Sequence, residues 1–141
     1  VRPKVVVAGA SAYSRLFARP THLHCLYTIN GTEARHRKLD LDAALWDAAD
    51  LLYTGAGLGV DFTGAVAPDG MLSALFVADA HLYLKQFDGA SWGTLQTVIA
   101  QSCFSPSLRY IGLTPHALFL QNIGTDQNRL MESHRSGSGF T

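Results

Sequence analysis

Ser73-Ala74-Leu75-Phe76, then His81-Leu82-Tyr83-Leu84-Lys85-Gln86-Phe87-Asp88-Gly89, is the stretch on which the fold turns. It reads as a strand, a short turn and a second strand. The closing Asp-Gly dipeptide is one that tight hairpins favour, because its glycine accepts a positive φ. Tyr83, Lys85 and Phe87 alternate with Leu82, Leu84 and Gln86. Neither set is polar throughout, as expected of a strand covered on both faces.

The same pattern occurs twice more: Ser14-Arg15-Leu16-Phe17 precedes His22-Leu23-His24-Cys25-Leu26, and Leu108-Arg109-Tyr110-Ile111 precedes His116-Ala117-Leu118-Phe119-Leu120. A glycine follows each histidine, in Asn30-Gly31, Asp88-Gly89 and Ile123-Gly124, and Asp69-Gly70 marks a further turn. Short strands, regular turn signals and internal repetition together predict an all-β fold, an antiparallel repeat of propeller-blade type with about three blades. His22 and His81 lie further apart than His81 and His116. The longer interval holds Leu41, Leu45, Ala48 and Leu52 at helical spacing, with Asp40 placed to cap and Gly55 to end. The spacing fits one short helix near 40–52, while Asp47 and Asp50 fit an irregular blade-to-blade loop as well.

His81 to Trp92, and His116 to Gln121 followed by Arg129-Leu130-Met131-Glu132 and Ser136-Gly137-Ser138-Gly139-Phe140, resemble β-propeller blades of sugar-binding lectins and of phage tail propeller proteins. The resemblance runs loosely over residues 14 to 141. It implies a structural or glycan-binding role. The Asp box of sialidase propellers is not matched, because Gly89 directly follows Asp88, so no sialidase catalytic residue carries over. A second, local stretch, Arg2-Pro3-Lys4 with Ala8-Gly9-Ala10-Ser11-Ala12-Tyr13-Ser14-Arg15, resembles serine hydroxymethyltransferase. That family's threonine-rich run ending in His-Lys is absent and the only lysines are Lys4, Lys38 and Lys85, so no pyridoxal phosphate or other cofactor is expected.

Composition narrows the partners. Of 141 residues 48% are hydrophobic and only 16% charged, so part of the apolar surface is expected to lie against a partner. Eleven basic and eleven acidic side chains balance to zero net charge, which argues against nucleic acid and anionic membranes. The run Arg35-His36-Arg37-Lys38 reads as a solvated strand face. No apolar stretch approaches the length of a membrane span, so the chain reads as soluble; its compartment stays open, with virion-associated or secreted settings both compatible. Cys25 and Cys103 lack metal or redox spacing and read as buried thiols, with a disulfide between them left open.

Tests for chemistry turn up little. His22 and His24 share a strand face and His36 follows, but no carboxylate or cysteine in the sequence obviously completes a metal set, so no metal is expected. Val5 to Ser11 and Gly55-Ala56-Gly57-Leu58-Gly59 lack the third glycine or the following helix of a phosphate-binding loop. Ser11, Ser102 and Ser133 lack a nucleophile-elbow context, and Asp40, Asp42, Asp47 and Asp50 sit in one acidic-apolar segment. No catalytic residue is named. What remains is recognition: Trp46, Tyr83 and Trp92 as aromatic faces, with Arg35, Arg129 and Glu132 as polar neighbours.

The sequence therefore predicts residues 1–141 to be a single domain or a segment of a larger propeller. It is read as a non-enzymatic structural or interaction module of a larger assembly, such as a viral tail. The alternatives are a glycan-binding lectin-type propeller and a hydrolase or other enzyme on the same scaffold. Partners are other protein chains or copies of itself, and glycans under the lectin reading.

Overall fold

A computed structural model describes residues 11–58, 61–125, 127–137 and 139–141, with only the backbone of residues 11 and 12. The apolar run before Gly9 and most of the stretch resembling serine hydroxymethyltransferase lie outside the described residues. All thirteen elements are strands, and no helix occurs among the described residues.

The strands form three antiparallel sheets that follow one another along the chain. The first contains β1 (Ser11–Ala18), β2 (His22–Ile29) and β3 (Glu33–Asp40), with β4 (Leu45–Trp46) and β5 (Asp50–Thr54) both pairing with β3. The second is the meander β6 (Phe62–Val66), β7 (Leu72–Ala78), β8 (His81–Phe87) and β9 (Gln96–Ile99). The third is the meander β10 (Cys103–Ile111), β11 (Thr114–Gly124), β12 (Gln127–Ser136) and β13 (Gly139–Phe140). The expected all-β antiparallel class is what the chain adopts.

The second sheet lies between the other two, and β7 shows why. Every residue from Leu72 to Ala78 is buried. Leu72, Ala74, Phe76 and Ala78 join Leu26, Ala34, Leu52 and Phe62 in one core against the first sheet. The intervening Leu75 and Val77 join Leu82, Leu84, Leu108, Ala117 and Phe119 in a second core against the third. Side chains on a strand point alternately to opposite faces, so one strand without a polar face supplies both cores. Replacing Phe76, which is fully buried, by alanine removes a side chain whose loss costs about 3–5 kcal/mol.

The predicted turns are present. Asn30 and Gly31 both have positive φ, 52° and 65°, the geometry of a tight type I′ hairpin between β2 and β3. Gly70 turns β6 into β7 with φ 90°. Asp88 Oδ1 accepts from the backbone N–H of Ala90 and of Ser91, both at 2.8 Å, so the acid side chain folds its own loop.

Two readings of the sequence are corrected. The helix near 40–52 is absent. Asp40 does cap, but it caps a turn: its Oδ1 accepts from the N–H groups of Asp42 and Ala43 at 2.9 Å each. Ala44 then takes a positive φ of 54°, which ends any helical run. Beyond it β4 and β5 satisfy the backbone groups along the free edge of β3, and of the four spaced apolar residues Leu52 is in the core while Leu41 and Leu45 are exposed. The three histidine hairpins are also not equivalent. His22 opens β2 and His116 lies in β11, each the second strand of its sheet, whereas His81 opens β8, the third strand. A hairpin signal recurs at every turn of a meander, so the pattern alone did not distinguish one hairpin from the next. The second strands begin at His22, Leu72 and Thr114, which are spaced more evenly than the histidines.

Cys25 and Cys103 are free and buried, in the first and third sheets. Burial pushes the Cys103 thiol up to about 11, with the charge of Asp61 adding to it, so neither reactivity nor metal binding is favoured there.

The β7–β8 turn uses Asp79 and Ala80 at positive φ, 48° and 62°, with no glycine. Ala80→Gly should therefore raise stability by about 0.5–1 kcal/mol, because the left-handed strain of alanine exceeds the entropy glycine loses. Urea unfolding of the two proteins, compared at equal m-value, checks this.

Candidate functional site

The seam between the first and second sheets holds a buried polar chain. β2 and β3 turn His24 and His36 to the same inner face, and pairing of β3 with β5 sets Asp50 directly opposite His36. His24 Nδ1 lies 2.9 Å from His36 Nε2, and His36 Nδ1 lies 2.9 Å from Asp50 Oδ2. Both imidazoles are 1% exposed, while the Asp50 side chain is about half exposed. From the second sheet Phe87 packs on both rings, and Trp92 meets His36 edge to face at 5.2 Å.

The hydrogen-bond roles follow from the carboxylate. An ionised Asp50 only accepts, so His36 Nδ1 carries the proton and donates to it. His36 Nε2 is then the acceptor for His24 Nδ1–H. The indole N–H of Trp92 lies 3.2 Å from His36 Nδ1, but that nitrogen carries the proton donated to Asp50 and so does not accept from it. Burial lowers the His24 pKa to about 4, with the charges of His36, Arg19 and nearby groups adding to it. Burial also lowers His36, against the opposing pull of Asp50. At neutral pH both rings are uncharged, which keeps a charge out of the seam.

Beside this chain lies a recess of about 180 Å³ lined by His36, Phe87, Lys38, Asp47 and Asp50 among others. Lys38 Nζ pairs with Asp47 Oδ2 at 3.2 Å on its wall. The recess is smaller than the roughly 300–1,000 Å³ of ordinary ligand pockets, so it can take a small polar group or one edge of a larger ligand such as a sugar ring.

A larger cleft of about 690 Å³ runs between β1, β6 and β10, the first strands of the three sheets. Its lining is mostly apolar and backbone, with Thr63, Ser107, Arg109 and Tyr110 as the polar side chains, and no carboxylate is among the described lining residues. The Tyr110 hydroxyl is tied down from behind, 2.5 Å from Ser73 Oγ and accepting from Gln86 Nε2 at 3.0 Å. Arg135 in turn donates to Gln86 Oε1 at 2.9 Å, so a continuous polar chain joins the second and third sheets.

The six residues singled out from the sequence do not converge on one site. Trp46 and Arg35 lie on the outer face of the first sheet. Trp46 is capped by the guanidinium of Arg37, 5.9 Å from its ring centre, and Arg35 donates to Glu33 at 2.7 Å. Tyr83 and Trp92 pack against the core of the first seam, Tyr83 between Tyr53 and His81. Arg129 and Glu132 both lie on β12 but on opposite faces, opposite Gln121 and Leu118 respectively. The sequence reading missed Asp50 as the partner of His36, because the helix expected at 40–52 gave no β5 to carry it there.

No protein-family model matches the chain, and none of the curated proteins matches it. Among solved structures the chain is similar to Bacteroides ovatus Xyloglucan PUL GH43B, with a TM-score of 0.56 and 14% sequence identity. The alignment covers 92% of this chain and 27% of that one, so this chain spans about a quarter of its length. At this identity the likeness speaks for the fold: GH43 proteins are β-propellers, and the all-β sheets seen here fit a propeller-like arrangement.

The buried imidazoles give stability a defined pH dependence. Below the ordinary histidine pKa of 6.5 the unfolded chain takes up protons that the folded His24 refuses until about pH 4. Stability should therefore be full above pH 6.5 and fall on acidification across that window, by on the order of 3 kcal/mol for this residue. His24→Gln should flatten the slope of unfolding free energy between pH 6.5 and 4, measured by urea titration at each pH. An unchanged slope would show that other groups set it.

Proposed function

We propose that the chain is a non-enzymatic interaction module, a segment of a propeller whose outermost sheet is completed by another sheet. The single observation that carries this reading is the open face of the third sheet. Leu118 and Leu130 are 42% and 68% exposed there, beside the half-buried Phe104 and Leu120. Strand pairing sets Leu120 between Phe104 and Leu130, so these residues form a continuous apolar patch. Inside the chain, faces of this composition are covered by a neighbouring sheet. Propeller rings close with four to eight blades, and three sheets count as three of them under this reading. The missing sheets come from further chain or from copies of this one.

The likeness to a GH43 protein favours an enzyme as the competing reading. Glycoside hydrolysis requires two carboxyl groups flanking the scissile bond. The cleft at the first strands has no carboxylate among its described lining residues, whereas Asp47 and Asp50 both line the recess of the first seam, which is where a cleavage reading would have to place its two carboxyl groups. A glycan-binding role draws support from the first seam, where His36 and Phe87 line a recess with Lys38, Asp47 and Asp50 as hydrogen-bonding groups. That recess is the specific feature a monosaccharide titration tests, with Asp47→Asn as the control.

If the open face is an interface, light scattering should find the chain associated with itself or with added flanking sequence. Leu118→Lys, which faces Glu132 across the strand pair, combined with Leu130→Glu should return it to single chains with folded stability retained, since both side chains are exposed. A wild type that stays a single chain under all conditions and fails to bind its flanking sequence would sink the reading.

A further inference from the structure

We propose that His116, Glu132 and His134 form a binding site for a divalent transition-metal ion of the zinc type on the open face of the third sheet. His116 on β11 and His134 on β12 are directly opposed across the strand pair. Glu132 precedes His134 by two residues on the same strand, so all three side chains leave the same face. Their ligand atoms lie within 4.8 Å of one another. His116 Nδ1 is 2.6 Å from Glu132 Oε1, and His134 Nδ1 is 3.9 Å from the same oxygen. The two rings face each other with centres 5.2 Å apart and planes 21° apart.

A tetrahedral ion with bonds of about 2.0–2.2 Å holds its ligand atoms about 3.3 Å apart. The cluster reaches that geometry by opening the shorter contact and closing the longer one. Both are side-chain rotations at half-buried or exposed positions, while the strand pairing holds the Cα positions. Two imidazoles and one carboxylate favour zinc, cobalt or nickel over magnesium and calcium, which prefer all-oxygen sets. Three protein ligands leave at least one position open to water or to a donor from a covering sheet.

The hydrogen on His116 Nδ1, now shared with Glu132, passes to Nε2 or to solvent, and the freed lone pair binds the ion. Acid therefore weakens binding, because protons compete for both rings. Arg109 sits opposite His116 on β10 and shares this face. Its like charge limits affinity, which makes the site one of modest strength.

The site is complete within one chain and does not depend on the interaction reading above. The test uses the full chain without a histidine tag, stripped of metal with a chelator, and titrated with Co²⁺ followed visibly and with Zn²⁺ by calorimetry. The expected result is one saturable site per chain, displacement of Co²⁺ by Zn²⁺, and no response to Mg²⁺. His134→Gln and Glu132→Gln should each weaken binding roughly tenfold or more, with unchanged far-UV circular dichroism. His22→Gln and His81→Gln should bind as the wild type does. Binding that survives the His116→Ala, His134→Ala double variant, or that drops equally for His22→Gln and His81→Gln, overturns the proposal. No saturable binding at all does the same, and leaves the three residues as a hydrogen-bonded cluster only.

Discussion

The burial of β7 on both faces is the constraint on which the rest of the structure depends. Seven consecutive residues with no exposed side chain have nowhere to sit except between two layers. That places the first and third sheets on either side of the second, and it divides the apolar residues of the chain between two cores. The hydrophobic effect supplies the attraction but no register, because apolar contacts are non-directional. Register has to come from elsewhere.

Each seam carries a polar chain that supplies it. At the first seam His24, His36 and Asp50 run from the interior to solvent, and Lys85 reaches across from β8 to donate to the carbonyl of Leu52 at 3.2 Å. At the second, Ser73, Tyr110, Gln86 and Arg135 hand hydrogen bonds from one sheet to the next. A sheet that slipped by one residue would turn these groups to the wrong face and leave them without partners in a low-dielectric interior. The histidines of the first seam thus tie together β2, β3 and β5 of the first sheet under the covering rings of Phe87 and Trp92, and neutrality is what makes their burial tolerable.

Edges and open faces are handled differently at the two ends of the described chain. Along β3 the free edge is filled locally, by β4 and β5 from the segment that immediately follows it. On the third sheet the exposed face keeps an apolar patch beside the cluster of His116, Glu132 and His134. The aromatic residues singled out from the sequence are mostly engaged within the fold, as Trp92 and Tyr83 illustrate.

The all-β class, the turns at Asn30-Gly31 and Asp69-Gly70, and the two-sided burial of the strands around Phe76 were legible in the sequence, because each rests on local chemistry. Glycine conformational freedom and the alternation of a strand need no distant partner to be recognised. The path of residues 40–52 was not legible: its apolar residues fit a helix equally well by spacing, and only the free edge of β3 made strands the lower-energy choice. The same holds for the sites. His24, His36 and Asp50 come from three strands, and His116 and His134 meet only through the register of β11 with β12. Sequence alone determined the hairpin strands and the glycine turns between them, whereas tertiary structure decided the strands of residues 45–54 and which side chains meet, since a meeting across strands depends on pairing and register that no single segment encodes.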